Sequence, residues 1–169
     1  FDRDRLFIAY QPQVSLADRK IVGLEALLRW RREDGVFVAP DQFIPLAESA
    51  GLIDQLTQCV IGTVAREGAL LRNEGQAINI AVNVSAQNLA NLGFPDQFED
   101  TCARHGGSCR DTTIELTESA TQTVEHLLDT LTRLRLRGTR LSLDDFGTGY
   151  SSLVQLHQLP FSEMKIDRS

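Results

Sequence analysis

Five apolar stretches of this 169-residue chain each deliver a hard oxygen ligand or an amine at or near their ends: Glu25, Asn83, Glu115, Asp144 with Asp145, and Lys165. Barrel strands buried on both faces read as near-continuous Val/Ile/Leu runs, and catalytic groups in such folds project from strand ends at one rim. Carboxylates and an amide suit magnesium or manganese better than softer metals, because those ions prefer oxygen donors and hold phosphates well. The pattern points to an α/β barrel site for phosphoryl chemistry.

The segments between these stretches carry helical signals. Leu6 to Gln13 reads as a first strand and Ile21 to Trp30 as a second, with a turn at Ala17-Asp18-Arg19-Lys20. Pro40 and Asp41 open a helix through Ser49, and Asp54 to Asn73 repeats its apolar residues at a helical period. Ile78 to Val84 alternates, with Ile78, Ile80, Val82 and Val84 on the side expected to face helices. Further helices are expected over Pro95–His105, Val124–Arg137 and Ser151–Leu159, and further strands over Thr113–Glu118, Arg140–Asp145 and Glu163–Asp167. Alternating strands and helices imply an α/β fold with a parallel sheet.

With 42% hydrophobic and 24% charged residues, the chain can bury one globular core and is short for two domains. A net charge of −6 argues against a surface for a nucleic-acid polymer. It does not exclude a small anion, because a bound divalent cation inverts the field of an acidic pocket. Arg29, Arg31 and Arg32 cluster, although for Arg31 and Arg32 a solvated helix or loop face is the preferred reading. Cys59, Cys102 and Cys109 form neither a disulfide framework nor a zinc pattern, so a reducing cytoplasm is the simplest compartment. No stretch has the length of a transmembrane helix, and Phe1 to Arg5 is charged, unlike a signal-peptide core. The chain starts without Met and stops just after an apolar run, which reads as a piece of something longer.

Each candidate residue has a plain structural alternative. Asp144 and Asp145 can form an ordinary acidic loop; both reach one cation cluster only if the backbone turns there, which Gly147 and Gly149 permit. Glu115 and Glu118 face opposite ways in an extended strand, so one suits a metal and the other a loop anchor. Asn83, followed by Ser85, suits a helix cap as well as a ligand. Lys165 inside Met164-Lys165-Ile166 either meets an acidic partner or faces solvent from an edge strand. His105, His126 and His157 show no ligand spacing, and Asp145-Phe146-Gly147 lacks the upstream motifs of a protein kinase.

Taken together, these residues resemble the EAL-domain cyclic di-GMP phosphodiesterases. The resemblance begins at Glu25-Ala26-Leu27 within Leu24 to Trp30. In the family's order follow Tyr10-Gln11-Pro12 before it and, after it, Pro40 with Phe43-Ile44-Pro45 and Ala47-Glu48, then Asn83-Val84-Ser85 and Glu115-Leu116-Thr117-Glu118. Asp144-Asp145-Phe146-Gly147-Thr148-Gly149-Tyr150 and Lys165-Ile166-Asp167 complete a match over essentially the whole chain.

The resemblance implies a modified TIM (β/α)8 barrel with an antiparallel first strand and two divalent cations, Mg2+ or Mn2+, at the carboxyl rim. It implies that Glu25, Asn83, Glu115 and Asp144 hold one cation, with Asp144 and Asp145 reaching the second. Lys165 would position or activate the attacking water, with Glu25 beside it. Gln11, Leu27 and Arg29 would contact the ligand, Arg29 through a phosphate, and Glu118 would pin the loop after Asp145. The implied reaction opens cyclic di-GMP to linear pGpG. A homodimer and an attached sensory, receiver or cyclase-like domain are the implied partners. A full barrel takes roughly 250 residues, so this chain is expected to cover about six strands of an incomplete EAL domain, without the family's next glutamate ligand. The alternative is a receptor or interaction module without hydrolysis, which the intact ligand set disfavours.

Overall fold

In the computed structural model, residues 5–123, 125–147 and 158–166 are described. The chain enters as a hairpin. Strand β1 (Leu6–Val14) runs antiparallel to β2 (Ile21–Arg31), with Gln11 opposite Glu25. The turn between them closes through Ser15 N–H to the Lys20 carbonyl and Arg19 N–H to the Ser15 carbonyl. A two-residue strand β3 (Phe37–Val38), absent from the sequence expectations, adds antiparallel to the far end of β2.

Helices α1 (Pro40–Ser49) and α2 (Ile53–Asn73) then carry the chain back to β4 (Asn79–Asn83), which lies parallel to β2. Next come α3 (Ala86–Ala90), α4 (Phe94–Arg104), a 3-10 turn at Cys109–Asp111 and β5 (Thr112–Thr117). Helices α5 (Ala120–Thr123) and α6 (Leu127–Leu136) precede β6 (Arg140–Phe146), and β7 (Glu163–Ile166) follows. The sheet order is β1-β2-β4-β5-β6-β7, with β3 beside β2, and every pair from β2 through β4 to β7 is parallel. This is the barrel-like α/β arrangement with a reversed first strand that the motifs implied.

The alternation in β4 lies as read: Ile80 and Val82 face the helices. With Ile114, Leu116 and Leu141 from the next two strands they meet Ile61 and Val64 of α2, Phe94 and Phe98 of α4, and Leu131 and Leu134 of α6. A second cluster packs Phe43, Ile53 and Leu56 against Leu28, Trp30 and Val38, with Trp30 edge-on to Phe43 at 5.8 Å. Among the described residues, no helix is long and apolar enough to cross a membrane.

Two helix expectations need correction. The segment expected as one helix from Val124 starts at Leu127, because His126 takes a left-handed backbone (φ 59°) and separates α6 from α5. Helix α3 was foreshadowed only by the helix-cap reading of Asn83, and its cap is Ser85 instead. The helix expected over Ser151–Leu159 falls largely outside the described residues, as do His157 and the loop from Thr148 to Tyr150.

Candidate active site at the carboxyl rim of the sheet

Register explains why residues scattered through the sequence meet. Glu25 lies beside Ala81, Asn83 beside Glu115, and Thr117 beside Asp144, so the parallel strands deliver their ends to one rim. Alternation puts Glu25, Leu27 and Arg29 on one face of β2, while Leu28 and Trp30 go to the helix-packed face. One oxygen each from Glu25, Glu115 and Asp144 lie within 4.8 Å of one another. Lys165 Nζ sits among them, 3.0 Å from Glu25 Oε2, 2.5 Å from Glu115 Oε1 and 3.7 Å from Asp144 Oδ2. Asn83 Nδ2 donates to Glu25 Oε1 at 3.2 Å.

Both open alternatives at these positions are thereby decided on geometry. Lys165 meets acidic partners instead of facing solvent, and the helix cap after β4 is Ser85, whose Oγ accepts from Gln87 N–H, leaving the Asn83 side chain to Glu25.

Three carboxylates against one ammonium leave negative charge in excess, and the strain falls on Glu115. Its side chain is fully buried, and neither carboxylate oxygen has a well-directed hydrogen bond despite the close ion pair with Lys165. Burial pushes its pKa up to about 7; Lys165 pulls it back, and the charges of Glu25 and Asp144 add to the rise. Burial alone would depress Lys165, but the hydrogen bonds and charges of Glu115, then Glu25, hold its ammonium above the ordinary lysine range. A buried carboxylate with one oxygen against Lys165 and the other without a partner, in an all-oxygen donor set with surplus negative charge, fits a hard divalent cation.

Asp144 and Asp145 do not share one role in the backbone. Asp144 stays on the strand and its Oδ1 accepts from Asp145 N–H at 3.0 Å. Asp145 takes φ 56°, and the pairing with β7 slips between Leu143 and Phe146, so the backbone turns where the sequence required it. Asp145 is nonetheless outside the cluster formed by Glu25, Glu115 and Asp144. Glu118 braces the same turn: its N–H donates to the Asp144 carbonyl at 3.1 Å and its Oε2 accepts from Gly147 N–H at 3.0 Å. Glycine at 147 allows the φ of 106° found there.

Next to the cluster opens a cavity of about 440 Å³. Leu27 and Arg29 line it, together with Asn83 and Glu115, whereas Gln11 stands on β1 opposite Glu25 outside this lining. Arg29 Nη1 donates to the Leu28 carbonyl at 3.0 Å. Arg31 ends β2 and Arg32 pairs with Asp34 at 3.2 Å in the following turn, both exposed, as the solvated-face reading expects.

Sequence reasoning overlooked part of the rim. Thr57, Ser85, Thr117 and Ser119 also line the cavity, and Thr117 shares a hydrogen bond with Ser119 at 3.0 Å. The Ser85-x-x-Asn88 spacing of a capping box was the available signal for α3.

The profile of the EAL domain family matches residues 1–169. The bifunctional diguanylate cyclase/cyclic di-GMP phosphodiesterase MucR of Pseudomonas aeruginosa is 41% identical over 169 residues, covering 99% of this chain and 25% of that protein. The probable cyclic di-GMP phosphodiesterase PdeB of Escherichia coli is 40% identical over 163 residues, covering 96% of this chain and 31% of its own length. The chain thus spans less than a third of the length of these curated relatives. A solved structure of the PaMucR phosphodiesterase as a c-di-GMP complex superposes with a TM-score of 0.92 at 41% identity, covering 99% of this chain and 68% of that one.

Proposed function

The chain belongs to the EAL domain family, and on that premise we propose that it hydrolyses cyclic di-GMP to linear pGpG with two divalent cations, magnesium or manganese, in second-messenger signalling. The observation that carries the reading is the convergence of Glu25, Glu115 and Asp144 around Lys165, beside a cavity lined by Leu27 and Arg29.

Glu25, Asn83, Glu115 and Asp144 would hold one cation, and Asp144 with Asp145 would serve the second. Bound cations supply Lewis-acid polarisation of the scissile phosphate and a lowered pKa for the attacking water. The chain's own groups do the rest. Lys165, kept cationic by Glu115 and Glu25, orients the water and stabilises its developing negative charge; Glu25 fixes the ammonium in place. Arg29 offers a guanidinium to a phosphate at the cavity wall, and Gln11 and Leu27 bound the nucleotide. Glu118 holds the turn after Asp145 through Gly147 N–H, which keeps Asp144 and Asp145 in their mutual orientation.

The three free cysteines favour a reducing cytoplasm, and the family resemblance favours a homodimer. The bifunctional cyclase named among the relatives supports an attached cyclase-like domain.

The test is incubation with cyclic di-GMP and Mg2+ or Mn2+, followed by chromatography of the nucleotides. It uses this chain and a longer form carrying the further third found in the solved relative. Conversion to pGpG that stops on chelation of the cation is the expected result. Tight nucleotide binding without conversion by either form would replace the enzyme with a receptor.

A further inference from the structure

Asn88 is fully buried on α3, yet two of the three bonds of its side-chain amide go to Ser85 and Thr57, which line the cavity. Its Oδ1 accepts from Ser85 N–H at 3.2 Å and from Thr57 Oγ1 at 3.0 Å, and its Nδ2 donates to Asp54 Oδ1 at 2.6 Å. A capping box ordinarily needs only the first of these bonds and uses a longer Glu or Gln that reaches back from solvent. Here a short amide closes the box from inside and spends its remaining capacity on α2. A buried amide is costly unless satisfied, and this one is satisfied by groups from two separate elements.

Those groups bracket Asn83-Val84-Ser85. On one side, Val84 N–H donates to the Glu115 carbonyl at 2.9 Å. On the other, Asn88 clasps Ser85 to Asp54 and Thr57. Between the two, Asn83 reaches Glu25, and Asn83, Ser85 and Thr57 line the cavity. We infer that Asn88 is a positioning residue: by clasping the turn after β4 to α2, it sets the orientation of Asn83 at the acidic cluster and the position of the adjoining cavity wall. The inference deepens the function proposed above and rests on it for the identity of the ligands.

The informative variant is Asn88→Asp. It keeps the shape and both accepted hydrogen bonds, but sets a second carboxylate against Asp54 where a donor stood. Adding Asp54→Asn exchanges donor and acceptor and restores the bond with reversed polarity. Mn2+ and cyclic di-GMP affinities are measured separately by calorimetry on the wild type, N88D and the double variant, with thermal midpoints alongside. Expected is a loss of about tenfold in Mn2+ affinity for N88D, at the lower end for residues that support metal ligands, with a parallel loss for the nucleotide. The double variant should return to within about threefold of wild type. Thr57→Val, which removes a single donor, is the milder probe should N88D fail to fold, and is expected to show a smaller loss in the same direction.

N88D or T57V that melts earlier yet binds Mn2+ as the wild type does would reduce Asn88 to a structural role and overturn the inference. So would a double variant that regains its midpoint without its Mn2+ affinity. A wild type that binds Mn2+ but neither binds nor cleaves cyclic di-GMP would overturn the proposed function, while the Mn2+ arm still decides the role of Asn88. A wild type that takes up no Mn2+ would overturn both.

Discussion

The two faces of β5 are equally hidden from solvent and oppositely built. Ile114 and Leu116 on one face pack beneath helices, while Thr113 and Glu115 on the other are buried among polar groups. The first face gains stability from each methylene it buries, about 0.8 kcal/mol apiece. The second holds a carboxylate whose oxygens lack directed hydrogen bonds, which costs stability in exchange for a place to put a cation. A buried residue is thus no evidence of a stabilising one; the sign depends on which face of the strand it occupies.

Substitutions can separate the faces. Asp144→Asn, on the cation-binding side, should lower turnover in the longer form by at least about a thousandfold, a few kcal/mol of lost charge stabilisation, while leaving urea stability nearly unchanged. Near-normal turnover would remove Asp144 from the site. Ile114→Ala should do the reverse, lowering urea stability by about 3 kcal/mol, with Mn2+ affinity preserved in the fraction that remains folded. Equal losses of affinity and stability would show that the two faces are mechanically one.

The smallest expected effect concerns pH. Glu115 keeps its proton to about pH 7 in the folded chain, against 4.5 for a free carboxyl. Between those values the folded state binds more protons than the unfolded one, so without metal, stability falls as pH rises through that window and levels off above it. The whole fall is on the order of 2 kcal/mol, since a tenfold change in proton affinity is worth about 1.4 kcal/mol and the ion pair with Lys165 offsets part of it. Urea titrations across pH should show the fall in the wild type and not in Glu115→Gln. Saturating Mn2+ should weaken or invert it, because a cation favours the ionised carboxyl. A wild type with no slope would mean that Glu115 is better solvated than its burial indicates.

Much of this architecture was legible before any coordinates. The alternation of β4 and the helical period ending at Asn73 both read correctly, because they are local consequences of pleat and helix geometry. The placing of Asn83, Glu115 and Asp144 at or near strand ends was legible for the same reason. Neighbourhood was not: alternation assigns Lys165 to a face, but only the curvature of a sheet brings it against Glu25, 140 residues away. The two Asp residues illustrate the limit well. Sequence required a backbone turn between them, the φ of 56° at Asp145 supplies it, and still only Asp144 joins the three-carboxylate cluster. Asn88 was passed over because its partners Thr57 and Asp54 lie on another helix, and β3 because two residues carry no periodicity. The break at His126 follows from a left-handed backbone that a leucine-rich pattern conceals.

Because the parallel strands all present their carboxyl ends to the site, the returns from α2, α4 and α6 lie at the opposite rim, where Gly75, Gly106 and Gly138 sit. They are not equivalent places to attach anything. Gly138 has the Arg110 side chain against it and Gly106 approaches Ala69, but Gly75 has open space around it. A fluorophore, affinity handle or surface tether therefore belongs in this return at the exposed Glu74 or Gln76, and not at Gly75 itself, whose φ of 82° strains any side chain; there it leaves the mouth of the cavity clear.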